Sequence, residues 1–341
     1  MEYIKLGKTG LTISRICLGC MTYGTRKWRE WVVEDPAEVR AHFALALEQG
    51  VNFFDTANVY SDGASEELTG RMLNEMASRD EIVVATKVYM TLSPRPNRGG
   101  LSRKHIIDQC DASLRRLGMD FIDLYQIHRF DPATPIEETL EALDALVRAG
   151  KVRYLGASSM AAWQFAKMLF AADLHHWQRF VAMQNHYNLV YREEEREMIP
   201  LCIDQGVAVI PWSPLARGLL AGNRKRGGQG VTKRAAEDQM ARNLYRLDSD
   251  YEVADACESV ARKRGVTPAQ IACAWILQAP GVSAPIVGTT RLEHIREVIG
   301  AVEIKLSAEE IAELEKPYQP HQVLGHAQPT PAAMSGRGVS R

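Results

Sequence analysis

The feature that most restricts this chain is a rhythm: short β-branched and apolar runs alternate with longer segments of helical periodicity, eight times over. The runs are Ile16–Met21, Asn52–Ala57, Ile82–Val88, Phe121–His128, Val152–Ser158, Phe180–His186, Val207–Ser213 and Ala284–Gly288. Helices are expected over Pro36–Gln49, Glu66–Ala77, Arg103–Leu117, Ile136–Arg148, Ala161–Ala172, Glu193–Gln205, Tyr251–Lys263, Pro268–Gln278 and Leu292–Ile299. Several stop at a glycine (Gly50, Gly118, Gly150, Gly206) placed to cap the last turn. Stretches such as VVATKV and VAVIPW suit strands covered on both faces, as a parallel sheet requires. A chain of 341 residues has room for two average domains or one large barrel. Eight β-α units with no linker between them select the barrel. The expected fold is therefore α/β, a single (β/α)8 TIM barrel with an N-terminal β-hairpin (Tyr3 to Ile13, turning at Thr9–Gly10) and long loops at the C-terminal face. Residues 1–319 are assigned to that barrel and residues 320–341, rich in Pro, Gly and Ser, to a flexible tail.

Composition removes several classes of partner. With 41 Lys+Arg against 42 Asp+Glu the formal net charge is -1, so no basic face is available to track nucleic acid. The start carries no apolar segment of the signal-peptide kind, and no stretch approaches the roughly 18 apolar residues of a membrane span. A cytoplasmic location is expected. Cys17 and Cys20 have redox or zinc spacing, but they sit in a strand, where an odd separation sends their side chains to opposite faces. That pair is read as buried packing residues, and the six cysteines, scattered through a long chain, do not look like a disulfide framework.

In a (β/α)8 barrel, polar groups at the carboxyl ends of strands face one shared site. Strands two to eight here end in Asp55, Lys87, His128, Ser158–Ser159, Gln184–Asn185–His186, Trp212–Ser213 and Gly288–Thr289–Thr290. A single polar strand end has a plain explanation, since termini meet solvent. Three titratable groups on consecutive strands, with Tyr60 five residues beyond Asp55, are harder to dismiss. Hydrolysis would need an activated nucleophile or a metal-held water, and neither G-x-S-x-G nor H-E-x-x-H occurs. Asp55, His128 and His186 could be drawn as metal ligands, but Lys87 among them would repel a cation and occupy the carboxylate, so no metal is expected. A phenol beside an ammonium makes sense for carbonyl chemistry, because the positive charge eases loss of the phenolic proton. Asp55 would hold Lys87, and His128 could orient a carbonyl oxygen. Such a set gives protons and has no reductant of its own, so a cofactor must supply one.

At these residues the sequence resembles the aldo-keto reductases, from about Tyr3 to Tyr318. The resemblance is carried by LGKTGLTISRICLGCMTYG, NFFDTANVYSDGASEE, VVATKV, SLRRLGMDFIDLYQIH, GKVRYLGASSM, MQNHYNL, VIPWSPLARGLL and PIVGTTRLEHI. Above all it lies in the D-T-A-x-x-Y spacing of Asp55 and Tyr60, with lysine and histidine ending the next two strands. It implies NADPH-dependent reduction of an aldehyde or ketone to an alcohol, with NADPH (NADP+) favoured over NADH. The catalytic set implied is Asp55, Tyr60, Lys87 and His128, with Tyr60 as general acid. For the cofactor it implies Ser158 and Gln184 at the nicotinamide carboxamide, Trp212 stacked on the ring, and Ser213, Pro214 and Leu215 near the pyrophosphate. Gly288, Thr289, Thr290, Arg291, His294 and Glu297 fall at the adenosine end, with Arg291 the candidate for the 2'-phosphate. Gly19, Met21, Asp55, Ser159 and Gly218 complete the set. Ser159 stands where asparagine is common, and Val298 where many members place an asparagine for the adenine.

The resemblance also reaches bacterial oxidoreductases, including some linked to 1-deoxyxylulose 5-phosphate metabolism, and nucleotide-sensing potassium-channel β subunits. The channel subunits typically have asparagine where this chain keeps His128, which favours an enzyme. The basic stretch from Arg217 to Asp248 is expected to act as a lid, with Arg217, Arg224, Lys225 or Arg226 over the pyrophosphate. Trp28 and Trp31 either wall a substrate pocket or pack under a loop.

Overall fold

A computed structural model describes residues 1–223, 226, 230, 232–323 and 325. Two short strands, β1 (Tyr3–Lys5) and β2 (Thr12–Ser14), pair antiparallel as a hairpin. Eight more follow: β3 (Cys17–Gly19), β4 (Phe53–Asp55), β5 (Val83–Val88), β6 (Ile122–Ile127), β7 (Val152–Ser158), β8 (Phe180–Gln184), β9 (Ala208–Val209) and β10 (Ile286–Val287). They form one parallel sheet in the order β10-β3-β4-β5-β6-β7-β8-β9. The sheet closes where the Ile286 amide donates to the Pro211 carbonyl at 2.8 Å and Trp212 bridges to Ile286. This is the (β/α)8 barrel, with the hairpin in front of it.

Alternation along the strands separates two cores. Cys17, Phe53, Val83, Ala85, Leu124, Ala182 and Ala208 fill the barrel interior, where Leu6 and Ile13 of the hairpin segment join them. Leu18, Phe54, Val84, Tyr125, Leu155 and Met183 face outward into a shell with Phe43, Ile106, Leu143 and Phe165 from the helices. Both faces are buried, as the unbroken apolar runs require. The hairpin also hydrogen-bonds the barrel floor, the Lys8 amide reaching Gly206 O at 2.9 Å and the Ser14 amide Asn52 Oδ1 at 2.7 Å.

Local signals set the helix ends. Ser102 accepts from the His105 amide to start the helix Arg103–Leu117, and Gly118, at φ 62°, ends it in a conformation that costs a side chain-bearing residue energy. Five segments depart most from expectation. The last two strands are shorter than their apolar runs because Pro211 and Pro285 supply no ladder N–H. The run Glu193–Gln205 splits into a 3-10 turn, Glu193–Glu195, and a helix, Met198–Gln205. Part of the presumed loop after β9 is helical, at Lys233–Glu237 and Gln239–Leu244. A helix at Ala308–Glu315 went unread, although Ser307 and Glu310 form its capping box.

The start of the tail is fastened: the His321 amide donates to Glu193 Oε1 at 2.7 Å and its ring bonds Asp250 at 2.6 Å. Residues 326–341 lie outside the described residues, as do Arg224 and Lys225 of the proposed lid. Cys17 faces the interior and Cys20 the outer shell, so the two thiols lie on opposite faces. All six cysteines are buried and unpaired. No helix among the described residues is long and apolar enough to cross a membrane.

Candidate active site

Register brings the chemistry together. Asp55 ends β4, Lys87 is the penultimate residue of β5, and His128 follows β6, so all three converge on one mouth. Asp55 and Lys87 are 2 % and 0 % exposed, and His128 7 %. Lys87 Nζ has three acceptors for its three protons: Asp55 Oδ1 at 2.5 Å, Thr56 O at 2.7 Å and Tyr60 Oη at 3.4 Å. Burial would pull its pKa down, but the Asp55 carboxylate and the Tyr60 oxygen more than offset this and hold it above the ordinary lysine value. The cation therefore persists beside the phenol.

Tyr60 reaches the mouth on a 3-10 turn, Tyr60–Gly63, in which Ser61 and Asp62 take left-handed φ of 50° and 54°. Its ring meets His128 edge-on, centroids 5.8 Å apart. His128 Nδ1 has no hydrogen-bond partner. Burial, then the Arg129 and Lys87 charges, push the imidazole pKa well below 6.5, so the ring is neutral near pH 7. The four residues expected to carry the chemistry thus form one contiguous group.

The other carboxylate oxygen of Asp55 is held by two residues on later strands. Gln126 Nε2 donates to Oδ2 at 2.8 Å and Gln184 Nε2 at 3.0 Å. Gln126 was missed in the sequence because it lies inside a strand rather than at its end. Gln184, expected at a carboxamide, spends its amide protons on Asp55 and Gln126, and its side-chain oxygen Oε1 has no partner among the described residues, whereas its backbone carbonyl is engaged. Ser158 donates to Gln184 O at 2.9 Å.

Trp212 is fixed on two sides. Its indole N–H donates to Ser159 Oγ at 2.9 Å, and its ring stacks on His186 at 4.1 Å. His186 stacks in turn on Tyr191 at 4.1 Å. Ser159 thus serves the tryptophan, and His186 is a backing plate; it carried no readable signal beyond its strand end. Past Trp212 the chain turns sharply, with positive φ at Ser213, Ala216, Arg217 and Gly218. Pro214 is buried and Leu215 partly so.

The remaining expected cofactor residues gather at β3 and β10. Gly19 and Gly288 approach so closely that a Cβ on Gly288 would lie 3.2 Å from Gly19 O. Met21 follows in the 3-10 turn Cys20–Thr22. Thr289 Oγ1 donates to Arg291 O at 2.9 Å and accepts from the Arg291 amide, ordering the turn that leads through Thr290 into the helix Leu292–Gly300. That helix has no side-chain cap, so its first amides are available to an anion, with exposed Arg291 and half-buried His294 and Glu297 alongside. Val298 is buried in a small core with Ile16 and Cys273, where a polar residue would be costly. No side-chain hydrogen bond among the described residues links this cluster to Asp55, Tyr60, Lys87 or His128.

The two tryptophans divide the roles left open for them. Trp28 lies against Tyr60, centroids 6.2 Å apart, at the mouth. Trp31 is buried under Arg234, whose guanidinium sits 4.3 Å above its ring. Arg217 is buried and paired to Asp238 at 2.7 Å, so it anchors the excursion it begins. Burial notwithstanding, Arg217 and Arg234 hold the Asp238 carboxyl below its usual range.

An aspartate, a tyrosine, a lysine and a histidine gathered in this way at the carboxyl mouth of a barrel point to a class, and comparison with known proteins agrees. The Aldo/keto reductase family matches residues 15–319, and the chain belongs to that family. It is similar to the versiconal hemiacetal acetate reductase of Aspergillus parasiticus, 42% identical over 344 residues, covering 95% of this chain and 98% of the relative. It is also similar to an aldo-keto reductase of Fusarium vanettenii, 40% identical over 352 residues (96% and 94% covered), and one of Alternaria alternata, 39% identical over 349 (95% and 94%). These relatives are fungal; the bacterial and channel-subunit likenesses rest on the sequence reading alone. The chain is a carbonyl oxidoreductase by family.

Proposed function

We propose that the protein is a cytoplasmic, NADPH-dependent reductase that converts a small-molecule aldehyde or ketone to an alcohol, with Tyr60 as general acid. The observation that carries this is the Lys87 ammonium, held by Asp55 and set 3.4 Å from Tyr60 Oη. Bound NADPH would supply the reducing hydride. The protein's share is the proton: Tyr60 Oη gives it to the developing alkoxide, and Lys87 stabilises the phenolate left behind. Neutral His128 can hydrogen-bond the carbonyl oxygen and fix its position without a competing charge. Gln126 and Gln184 keep Asp55 from turning away from Lys87.

The cofactor's fit is supported at three places. The face of Trp212 opposite His186 suits a planar ring, Ser158 and the Gln184 oxygen suit a carboxamide, and the uncapped helix Leu292–Gly300 with Arg291 suits a phosphate. Aromatic Trp28 beside Tyr60 favours a substrate with an unsaturated or ring system next to the carbonyl. Six unpaired thiols suit a reducing compartment.

The test is oxidation of NADPH and of NADH against aromatic aldehydes, dicarbonyls and sugar phosphates. Tyr60→Phe should lower kcat by about 10²–10⁴-fold while leaving NADPH binding intact. Undiminished turnover in that variant would overturn the assignment of the acid. Tight NADPH binding with no turnover of any carbonyl would favour a nucleotide-sensing role instead.

A further inference from the structure

One cation at the mouth has no task in the chemistry above beyond adding to the burial that keeps His128 neutral. Arg129 directly follows His128, so its side chain starts beside the quartet. Its Nη1 donates to His128 O at 2.5 Å and reaches Ser158 Oγ at 3.5 Å. Nε and Nη2 find no protein acceptor among the described residues, and the guanidinium forms no ion pair with any described carboxylate. The nearest acid along the chain, Asp131, is already engaged: it accepts from the Leu101 amide at 2.8 Å, the Ala133 amide at 2.9 Å and Thr134 Oγ1 at 2.8 Å.

Several other arginines drawn into the protein are satisfied. Arg116 pairs with Glu66, Arg217 with Asp238, and Arg15 donates to the carbonyls of Leu277, Val282 and Ser283. Arg29, another arginine without an ion pair among the described residues, lies 4.6 Å over the Trp28 ring, whereas Arg129 has no ring beneath it among the described residues and sits close enough to the Tyr60 and Tyr89 phenols to interact with both electrostatically. Burial already lowers its pKa from the ordinary arginine value, which measures how poorly water solvates it there. A partly desolvated charge without a partner is costly, and the cost is recovered when a ligand completes the pair. The planar fork of a guanidinium matches a carboxylate through two parallel hydrogen bonds. Aromatic groups are near: Tyr60, against which Trp28 packs, interacts with it, and Phe130, packed on Trp163 at 6.5 Å, is next along the chain.

We propose that Arg129 is a specificity-determining residue that binds a carboxylate on the carbonyl substrate, so that the enzyme prefers anionic aldehydes or ketones to neutral ones of the same shape. This rests on the carbonyl-reductase reading above.

The experiment compares kcat/KM for 2-, 3- and 4-carboxybenzaldehyde with that for their methyl esters, in the wild type, Arg129→Met and Arg129→Lys. In parallel, NADPH and benzoate binding are followed by tryptophan fluorescence. At least one acid should be preferred to its ester by about 10–100-fold, the usual worth of a charge-assisted contact. Arg129→Met should abolish that preference and weaken benzoate binding by a similar factor, with ester turnover and NADPH affinity unchanged. Arg129→Lys should keep part of the preference.

Three results would overturn the inference: no acid preferred by the wild type, a preference surviving in Arg129→Met, or equal losses for acids, esters and NADPH, which would assign the guanidinium to the cofactor. If esters and acids alike were not reduced, the reductase reading would fail. Benzoate binding would still decide for or against the anion site, since it needs no turnover.

Discussion

The two halves of the mouth are built differently. Asp55, Tyr60, Lys87 and His128 hang from β4 to β6, and each touches another member of the group. The residues assigned to the far end of the cofactor, Ser213 to Gly218 and Gly288 to Glu297, stand on turns and at a helix start. There the strained backbone and unused amides wait for a ligand. The first half is held together by its own contacts, and the second leaves groups that the proposed cofactor would engage. Groups that must act on a reacting atom are held to fractions of an ångström by rigid strands, whereas a large cofactor brings its own shape and enough contacts to order loops.

That contrast can be broken experimentally. Tyr60→Phe should show the largest effect, the loss in kcat given above, with no change in cofactor affinity. Asp55→Ala should come next. It strands a buried ammonium, so besides losing activity the protein should lose about 3–5 kcal/mol of stability, read by denaturant unfolding, as when one partner of a buried pair is removed. If the variant is as stable as the wild type, the strand half is less interlocked than its geometry indicates.

Arg291→Ala probes the other half. It should weaken NADPH binding by about 10–100-fold, leave NADH binding unchanged and leave thermal stability untouched, because this side chain is exposed and makes no ion pair among the described residues. A stability loss there would erase the distinction between the halves.

The smallest effect concerns pH. His42, His105 and His128 are buried, and burial is the leading cause that lowers each pKa below 6.5. The unfolded chain takes up protons near that pH and the folded chain does so only further down. Stability should therefore rise with pH up to about 6.5 and fall on acidification, by at most about 1.4 kcal/mol per pH unit for each histidine. Melting curves between about pH 7 and pH 5 measure the slope, and His105→Gln, away from the mouth, should flatten it. An unchanged slope in that variant would remove His105 from the account.

The quartet was legible because three of its members lie at the ends of apolar strands, with Tyr60 five residues beyond the first, and a closed barrel gives strand ends one meaning. Gln126 was not, since a polar residue inside a strand looks like any buried amide until Asp55 is seen opposite it. Ser159, expected among the cofactor residues, and His186, noted only as a polar strand end, both brace Trp212, a placement decided by which neighbouring strand lies beside them in the closed ring. The helix Ala308–Glu315 had its capping signal in plain view at Ser307 and Glu310 but lay beyond the eightfold count. Pro211 and Pro285 could have shortened the last two strands on paper, since neither can donate to the ladder.

The hairpin below the barrel has a consequence for traffic. With Leu6 and Ile13 packed into the amino-terminal end of the interior, nothing passes through the floor. Molecules that reach Asp55, Tyr60, Lys87 and His128 therefore come and go at the carboxyl mouth, and a single opening has to serve every guest.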